Sequence, residues 1–394
     1  MLVKRILVLG LSMALIACNM APPLINRAEL IPLLDKNNNK IINLSRSQWV
    51  QFDFSGLDLS FVDFRYSVCK GCDFRHATLT SADFSRADLR GSLFQKSHLL
   101  ETRFSKANLR GVNFSQAQLK KAQFYGANLS DAIFVGANLE FANLKNANMV
   151  KADLSQAIAN GADFSGTNLQ GAHLNNATIR AAQMQRVQLQ HAHLNAADLS
   201  ESDLSWAKLS HANFYQAQLR GPAGRGANLS YADLSYSNLQ HSIFNGSIMI
   251  SVDLRGSDMR HGQFNWVNLS QADFRQANLE NISLIESNLT WAKMSGVKLV
   301  QADLSMANFY RTDLRDAVLT GANLSRAKMV MTELNGADFT KAELYHALFR
   351  GTNLKGAIFT DVGHIVSVQE LQESNNIHQA IVPCVVLRLP TCTH

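Results

Sequence analysis

The sequence predicts an all-β solenoid, a chain wound as a tube with one side per five residues, and three observations carry this. Every fifth residue from Phe54 to Phe359 gives 62 positions, and all are Phe, Leu, Ile or Met except Cys69, Ala159 and Gly224. Two residues before each lies a second set, of which 51 are Ala, Ser, Thr or Gly. From Phe54 to Leu139 the large residues alternate strictly between Phe and Leu, Cys69 excepted. A period of five suits neither a strand nor a helix, whose faces repeat every 2 and every 3.6 residues. A short extended piece followed by a tight turn satisfies it. The large residue then fills the middle of each side, and the small one points inward beside a corner. In a four-sided coil the alternation puts Phe on two opposite sides and Leu on the other two.

The elements follow in chain order. Lys4 and Arg5 precede a short apolar run, ILVLGLSMALIA, which reads as a secretory signal, too short to span a membrane stably. It ends in Leu15-Ile16-Ala17-Cys18, which resembles the lipobox of bacterial lipoproteins. That resemblance implies cleavage after residue 17, a lipidated Cys18 and attachment to a membrane surface. Residues 18–50 are expected to form a linker and a loose cap, with Trp49 covering the first coil. Within them DKNNNKIIN (35–43) partly resembles a calcium loop, but Lys40 replaces the turn glycine and Arg46 the bidentate acid. A solvated turn is the expectation there.

The runs ADFSR, ADLRG, ANLSD and ADLSE resemble the pentapeptide-repeat family. The resemblance covers about four-fifths of the chain and implies a right-handed quadrilateral β-helix, with four pentapeptides per twenty-residue coil. Residues 51–362 are assigned to it. Sixty-two pentapeptides make some 15.5 coils, a rod of roughly 75 Å at about 4.8 Å per coil. RGPAGRGAN marks a weak spot. Pro222 takes the small position and Gly224 the central one, so a thin core or a bend without register change is expected. Ala159 should leave a milder void. Residues 363–394 are expected to close the tube with a short capping helix in SVQELQES, Ser367 as N-cap and Glu370 three residues on. A final apolar segment follows at 377–387.

Several residue groups are candidates for chemistry. A twenty-residue coil stacks residue n on n+20, so His173 meets His193 and His191 meets His211, four imidazoles on one ridge near Ala192. They are a candidate metal or pH-sensing site, against the alternative of rings directed into solvent. His241 and His261 form a further pair. Cys69 and Cys72 (CKGC) occupy inward positions, as small core residues or as a disulfide. Cys384 and Cys392 are a candidate disulfide pinning the tail. Lys70, Arg90 and Arg110 stack as a basic column. Trp206, Trp266 and Trp291 fall at an outward turn position and, with that column, form a candidate partner surface.

Net charge is +6, falling to +4 once Lys4 and Arg5 leave with the signal. That is no strong nucleic-acid footprint and no acidic imitation of DNA. No catalytic constellation stands out from Ser, Asp and His residues that the repeat itself places at turns. The sequence therefore predicts a non-enzymatic rod without a cofactor. It is tethered by lipid to a membrane of the bacterial envelope, facing the periplasm with a lean toward the outer membrane, and presents its sides to another protein. The alternatives are a metal-binding or pH-responsive envelope protein and, less favoured, a DNA-mimicking protector of topoisomerases.

Overall fold

One local repeat accounts for the backbone of the chain, and residues 114–118 show it. The Phe114 N–H donates to Ile133 O (2.7 Å) and the Gln116 N–H to Val135 O (2.9 Å), both on the following coil. The Ala117 N–H closes a turn on Phe114 O (2.9 Å), and the Gln118 N–H reaches back to Ser97 O (2.9 Å). The remaining donor, the Ser115 N–H, goes to Asn113 Oδ1 at 2.9 Å. All five donors of the pentapeptide are thereby satisfied. This explains why Asp or Asn so often precedes the central residue: its side chain accepts from the N–H two places on, as in an Asx turn. The second turn residue has φ near +58°, as at Gln116, and no β-branched residue takes that position among the described residues.

The computed structural model describes residues 26–35, 42–363 and 374–381. They divide into two compact units, residues 1–148 and 149–394. In each unit parallel pairs join residue n to n+20, from Asn43↔Asp63 to Asn128↔Asn148 in the first, and from Asp153↔His173 to Glu343↔Gly363 in the second. The twenty-residue lap is therefore observed directly. Pairing already begins at Asn43, so the coil takes in residues assigned to the cap. At the other end Asn375 and Ile381 pair with Asn353 and Ile358 and add a further partial coil. It includes a 3₁₀ turn, Ile377–Gln379. The expected helix at Ser367 and most of the calcium-like loop lie outside the described residues.

The interior of the first unit is built from phenylalanine. Phe54 stacks on Phe74 (4.7 Å, 2°) and Phe64 on Phe84 (4.6 Å, 3°), while Phe54 meets Phe64 edge-on (5.7 Å, 86°). The alternation thus gives two opposed columns, stacked within and T-shaped between, both favourable aromatic geometries. Trp49, expected as a cover, takes a central position within the first coil: its N–H donates to Val68 O and its buried ring packs edge-on against Phe52 and Phe54.

A helix the sequence reading missed, α1 (Arg27–Asp35), lies beside the first coil. Asn26 caps it: its Oδ1 accepts from the Glu29 N–H (3.0 Å), and its amide donates to the Glu29 carboxylate (3.2 Å). The motif was visible in the order Asn-Arg-Ala-Glu. Leu30 is buried, and Arg27 donates to Asp53 O (2.8 Å) and Ser55 O (2.6 Å). One coil on, the equivalent carbonyls of Asp73 and Arg75 accept from Phe54 and Gly56. Arg27 therefore does for the open edge what a preceding coil does elsewhere, which blunts an edge otherwise free to pair.

The thin core expected at Gly224 is not found. A Cβ there would lie 2.1 Å from Phe244 Cε1, so the ring of the next coil fills the space. Register holds, with Asp203↔Ala223 and Ala223↔Ile243 both in place. Ala159 is buried and keeps its bond to Thr178 O (2.7 Å).

Inward hydroxyls separate into two kinds. Ser287 Oγ donates to Phe264 O (2.6 Å) and accepts from the Val267 N–H (3.2 Å). Ser242 Oγ is buried with no hydrogen-bond partner. Ser242→Ala is expected to stabilise the second unit by about 1 kcal/mol, and Ser287→Ala to destabilise it by about 1–2 kcal/mol. Denaturant midpoints of the two variants check this, and equal shifts of the same sign would count against it.

Candidate interaction surface

Within each unit the outward positions fall into columns, because n and n+20 are neighbours there. His191 stacks on His211 (4.9 Å, 8°), and His211 on Tyr231 (5.0 Å, 8°). His173 stacks on His193 (4.8 Å, 8°) and His241 on His261 (5.0 Å, 8°). The expected pairs are present, but their geometry corrects the metal reading. Lone pairs of imidazole nitrogens lie in the ring plane. Stacked rings therefore aim them side by side, whereas ligands converge on a metal about 2.0–2.1 Å away. Among the described residues no group of three or more His, Cys, Asp or Glu is arranged to hold a metal ion.

The basic column is likewise not a free cationic strip. Lys70 Nζ lies 3.7 Å from Asp88, Arg90 pairs with Asp88 at 2.7 Å, and Arg110 with Asp131 at 3.2 Å. Asp88–Arg90 is one of a set: Asp63–Arg65, Asp73–Arg75, Asp253–Arg255, Asp258–Arg260, Asp273–Arg275 and Asp313–Arg315 repeat it. The acid sits just before a central residue and the arginine just after it, so both project from one side. Hydrogen bonds from the arginine hold the Asp88 and Asp313 carboxyls below the usual value of 3.8, against partial burial, which acts in the opposite direction. A carboxyl with a depressed folded-state pKa adds stability above its unfolded value and loses it as pH falls through the folded one. Stability is therefore expected to be flat from neutral pH to about 5 and to decline below about 4, read from denaturant midpoints at each pH. No decline between about pH 5 and 3 would contradict it.

The tryptophans lie where the sequence puts them, on turns. Trp206, Trp266 and Trp291 are 64%, 58% and 51% exposed. Each has its own setting. The Trp206 ring lies over Gly226, where a Cβ would come within 2.5 Å of it. Arg311 stacks on Trp291 at 4.8 Å, a pairing the n+20 rule could have found. In the first unit Tyr66 sits between Arg46 (5.2 Å) and Arg86 (5.5 Å). Cys69 and Cys72 are joined by a disulfide inside the first unit, with Cα atoms 5.5 Å apart. Cys18, Cys384 and Cys392 lie outside the described residues.

Comparison with known proteins settles the family. The pentapeptide repeat region profile matches residues 67–144 and 107–184. The profile for pentapeptide repeats in eight copies matches 188–221, 225–261, 263–299, 298–330 and 332–361. The chain is a pentapeptide-repeat protein. Solved structures similar to this pentapeptide-repeat protein include QnrB1, a plasmid-mediated fluoroquinolone resistance protein. It is 18% identical, with 60% of this chain and 93% of that one covered and a TM-score of 0.27. HetL, involved in heterocyst differentiation regulation in the cyanobacterium Nostoc sp., is 26% identical over 70% and 98%, with a TM-score of 0.18. A pentapeptide repeat protein of the Arabidopsis thaliana thylakoid lumen is 31% identical over 29% and 70%, with a TM-score of 0.11. No curated protein matches this pentapeptide-repeat protein. Its family is one of solenoid interaction proteins, generally non-enzymatic.

Proposed function

We propose that this pentapeptide-repeat protein is a lipid-tethered interaction rod of the bacterial cell envelope that docks another protein on its turn columns. The observation that carries the reading is the placement of large aromatics in the open. Trp206, Trp266 and Trp291 are each more than half exposed, and their own backbone N–H groups are paired with the following coil, on Arg225 O, Ile285 O and Tyr310 O. Tryptophan and arginine dominate binding hot spots, and Trp291 with Arg311 presents both together. The tether rests on the sequence at Lys4, Arg5 and Cys18. The Cys69–Cys72 disulfide supports an oxidising compartment outside the cytosol. No helix among the described residues is long and apolar enough to cross a membrane.

Membrane fractionation of the wild type and Cys18→Ser tests the tether, with crosslinking to capture the docked protein. The wild type is expected in the membrane fraction and Cys18→Ser in the soluble one. Equal distribution of the two sinks the anchor. Inhibition of DNA gyrase supercoiling at stoichiometric dose would put the DNA-mimicking reading in its place.

A further inference from the structure

A groove of about 670 Å³ opens on the second unit beside Trp291. Three successive coils build it. At one corner stand Ser251, Gln271 and Trp291, one above another. On the side next to that corner run Asp253, Asp273 and Lys293, which pair in register as n and n+20. Arg255 stands at the following corner. Ser251 and Gln271, between Tyr231 and Trp291, interrupt an aromatic column, and the indole stands as one wall of the groove.

The chemistry of the lining is specific. Asp253 is tied to Arg255 at 2.6 Å and Asp273 to Arg275 at 2.6 Å, so both carboxylates are oriented and neutralised before any ligand arrives. The backbone N–H, Nε and Nη2 of the arginine already donate to each carboxylate, which leaves about one of its four lone-pair sites for a ligand. Arg255 and Lys293 supply donors, and Gln271 supplies both. Arg311 stacks on the indole of Trp291 but does not line the groove, which is lined by the half-exposed ring together with Gln271, whose Oε1 accepts from Ser251 Oγ at 3.3 Å. The indole is thus held ready, and pre-orientation reduces the ordering cost of binding.

An extended peptide has nothing to pair with here, because the backbone donors and acceptors of these sides are spent between coils: Asp273 N–H on Val252 O, and Phe274 N–H on Lys293 O. The groove instead offers one flat apolar face surrounded by planar acceptors and donors of balanced charge. A pyranose ring has the matching form, with C–H bonds on one face and equatorial hydroxyls that both donate and accept.

We propose that this groove binds a neutral glycan, seating one sugar ring on Trp291 and its hydroxyls on Asp253, Arg255, Asp273 and Lys293. The inference depends on the groove and not on the lipid tether; it shares Trp291 with the proposed protein-docking surface, and Asp273→Asn, which lies in the groove alone, separates the two.

Calorimetric titration of the full chain with cellotetraose and with chitotetraose tests it. At least one is expected to bind with a dissociation constant of about 1 mM or tighter, and Trp291→Ala to weaken it by about tenfold or more. Asp273→Asn is expected to weaken it as well. Trp206→Ala and Trp266→Ala, exposed but off the groove, should bind as wild type does. An unchanged melting temperature for Trp291→Ala shows that the variant is folded. The proposal is overturned if neither sugar binds up to about 20 mM, or if Trp206→Ala and Trp291→Ala lose binding equally. It is also overturned if only heparin binds and added salt abolishes that binding, which would reveal a merely ionic surface.

Discussion

Phe94→Ala is expected to lower the stability of the first unit by about 3–5 kcal/mol. Phe94 is fully buried and stacks on Phe74 (4.6 Å) and Phe114 (5.0 Å). Across the tube it meets Phe84 (6.0 Å) and Phe104 (5.8 Å) edge-on. Truncation removes all four contacts and leaves a void between coils that cannot close. Each coil is held by the backbone pairs above and below it, so relaxation is limited and the cost should lie toward the upper end. Phe94→Leu should cost less, since Leu already occupies the neighbouring sides at Leu89 and Leu99. Denaturant unfolding read from the first unit decides the matter. A loss below about 1 kcal/mol for the alanine variant would mean that the two phenylalanine columns do not carry the core.

Gly224→Leu is expected to destabilise the second unit by about 1–3 kcal/mol or more, although it restores the repeat pattern. By sequence the change puts the customary leucine where one is missing. In the structure that space belongs to Phe244, whose Cε1 and Cδ1 lie 2.1 and 2.2 Å from the position of a Cβ. The displacement of Phe244 shows in its neighbour: it stacks on Phe264 at 5.5 Å and 25°, against 4.8 Å and 4° for Phe339 on Phe359. The double variant Gly224→Leu with Phe244→Leu should recover much of the loss, because the two sites share one volume. A double-mutant cycle on unfolding free energies measures this coupling. Stabilisation by Gly224→Leu alone would show that the ring does not occupy the site.

Much of this fold was legible because the repeat ties each residue's surroundings to its place in the pentapeptide. Phe54, Leu59 and their successors are buried by position, and Ala77 or Ala82 is small by position. Stacks such as His191 on His211 followed from n+20 arithmetic. What escaped depends on where a side chain leans. Phe244 enters the gap at Gly224 by tilting toward the preceding coil, which no spacing rule encodes. Lys70 and Arg90 read as a basic column, but Asp88 forms ion pairs with both. At the His ridge the spacing gave the adjacency of the pairs but not the parallel stacking of their rings. Helix α1 was missed differently, since Asn26 and Glu29 formed a visible cap in a segment read as linker. The groove beside Trp291 is lined at its corner by the non-aromatic Ser251 and Gln271, ordinary turn residues taken singly.

The central claim is the twenty-residue lap, since every column and the groove depend on it. Glu101 and Lys121 pair at 3.3 Å on neighbouring coils of the first unit. With coils about 4.8 Å apart, Glu101→Cys with Lys121→Cys falls in disulfide range, whereas Gln116 and Gly126 stand on other corners. Oxidative crosslinking followed by mass spectrometry should therefore join positions 101 and 121 rapidly and leave Glu101→Cys with Gln116→Cys unlinked. A preferred link from 101 to 116 or 126 would contradict the winding.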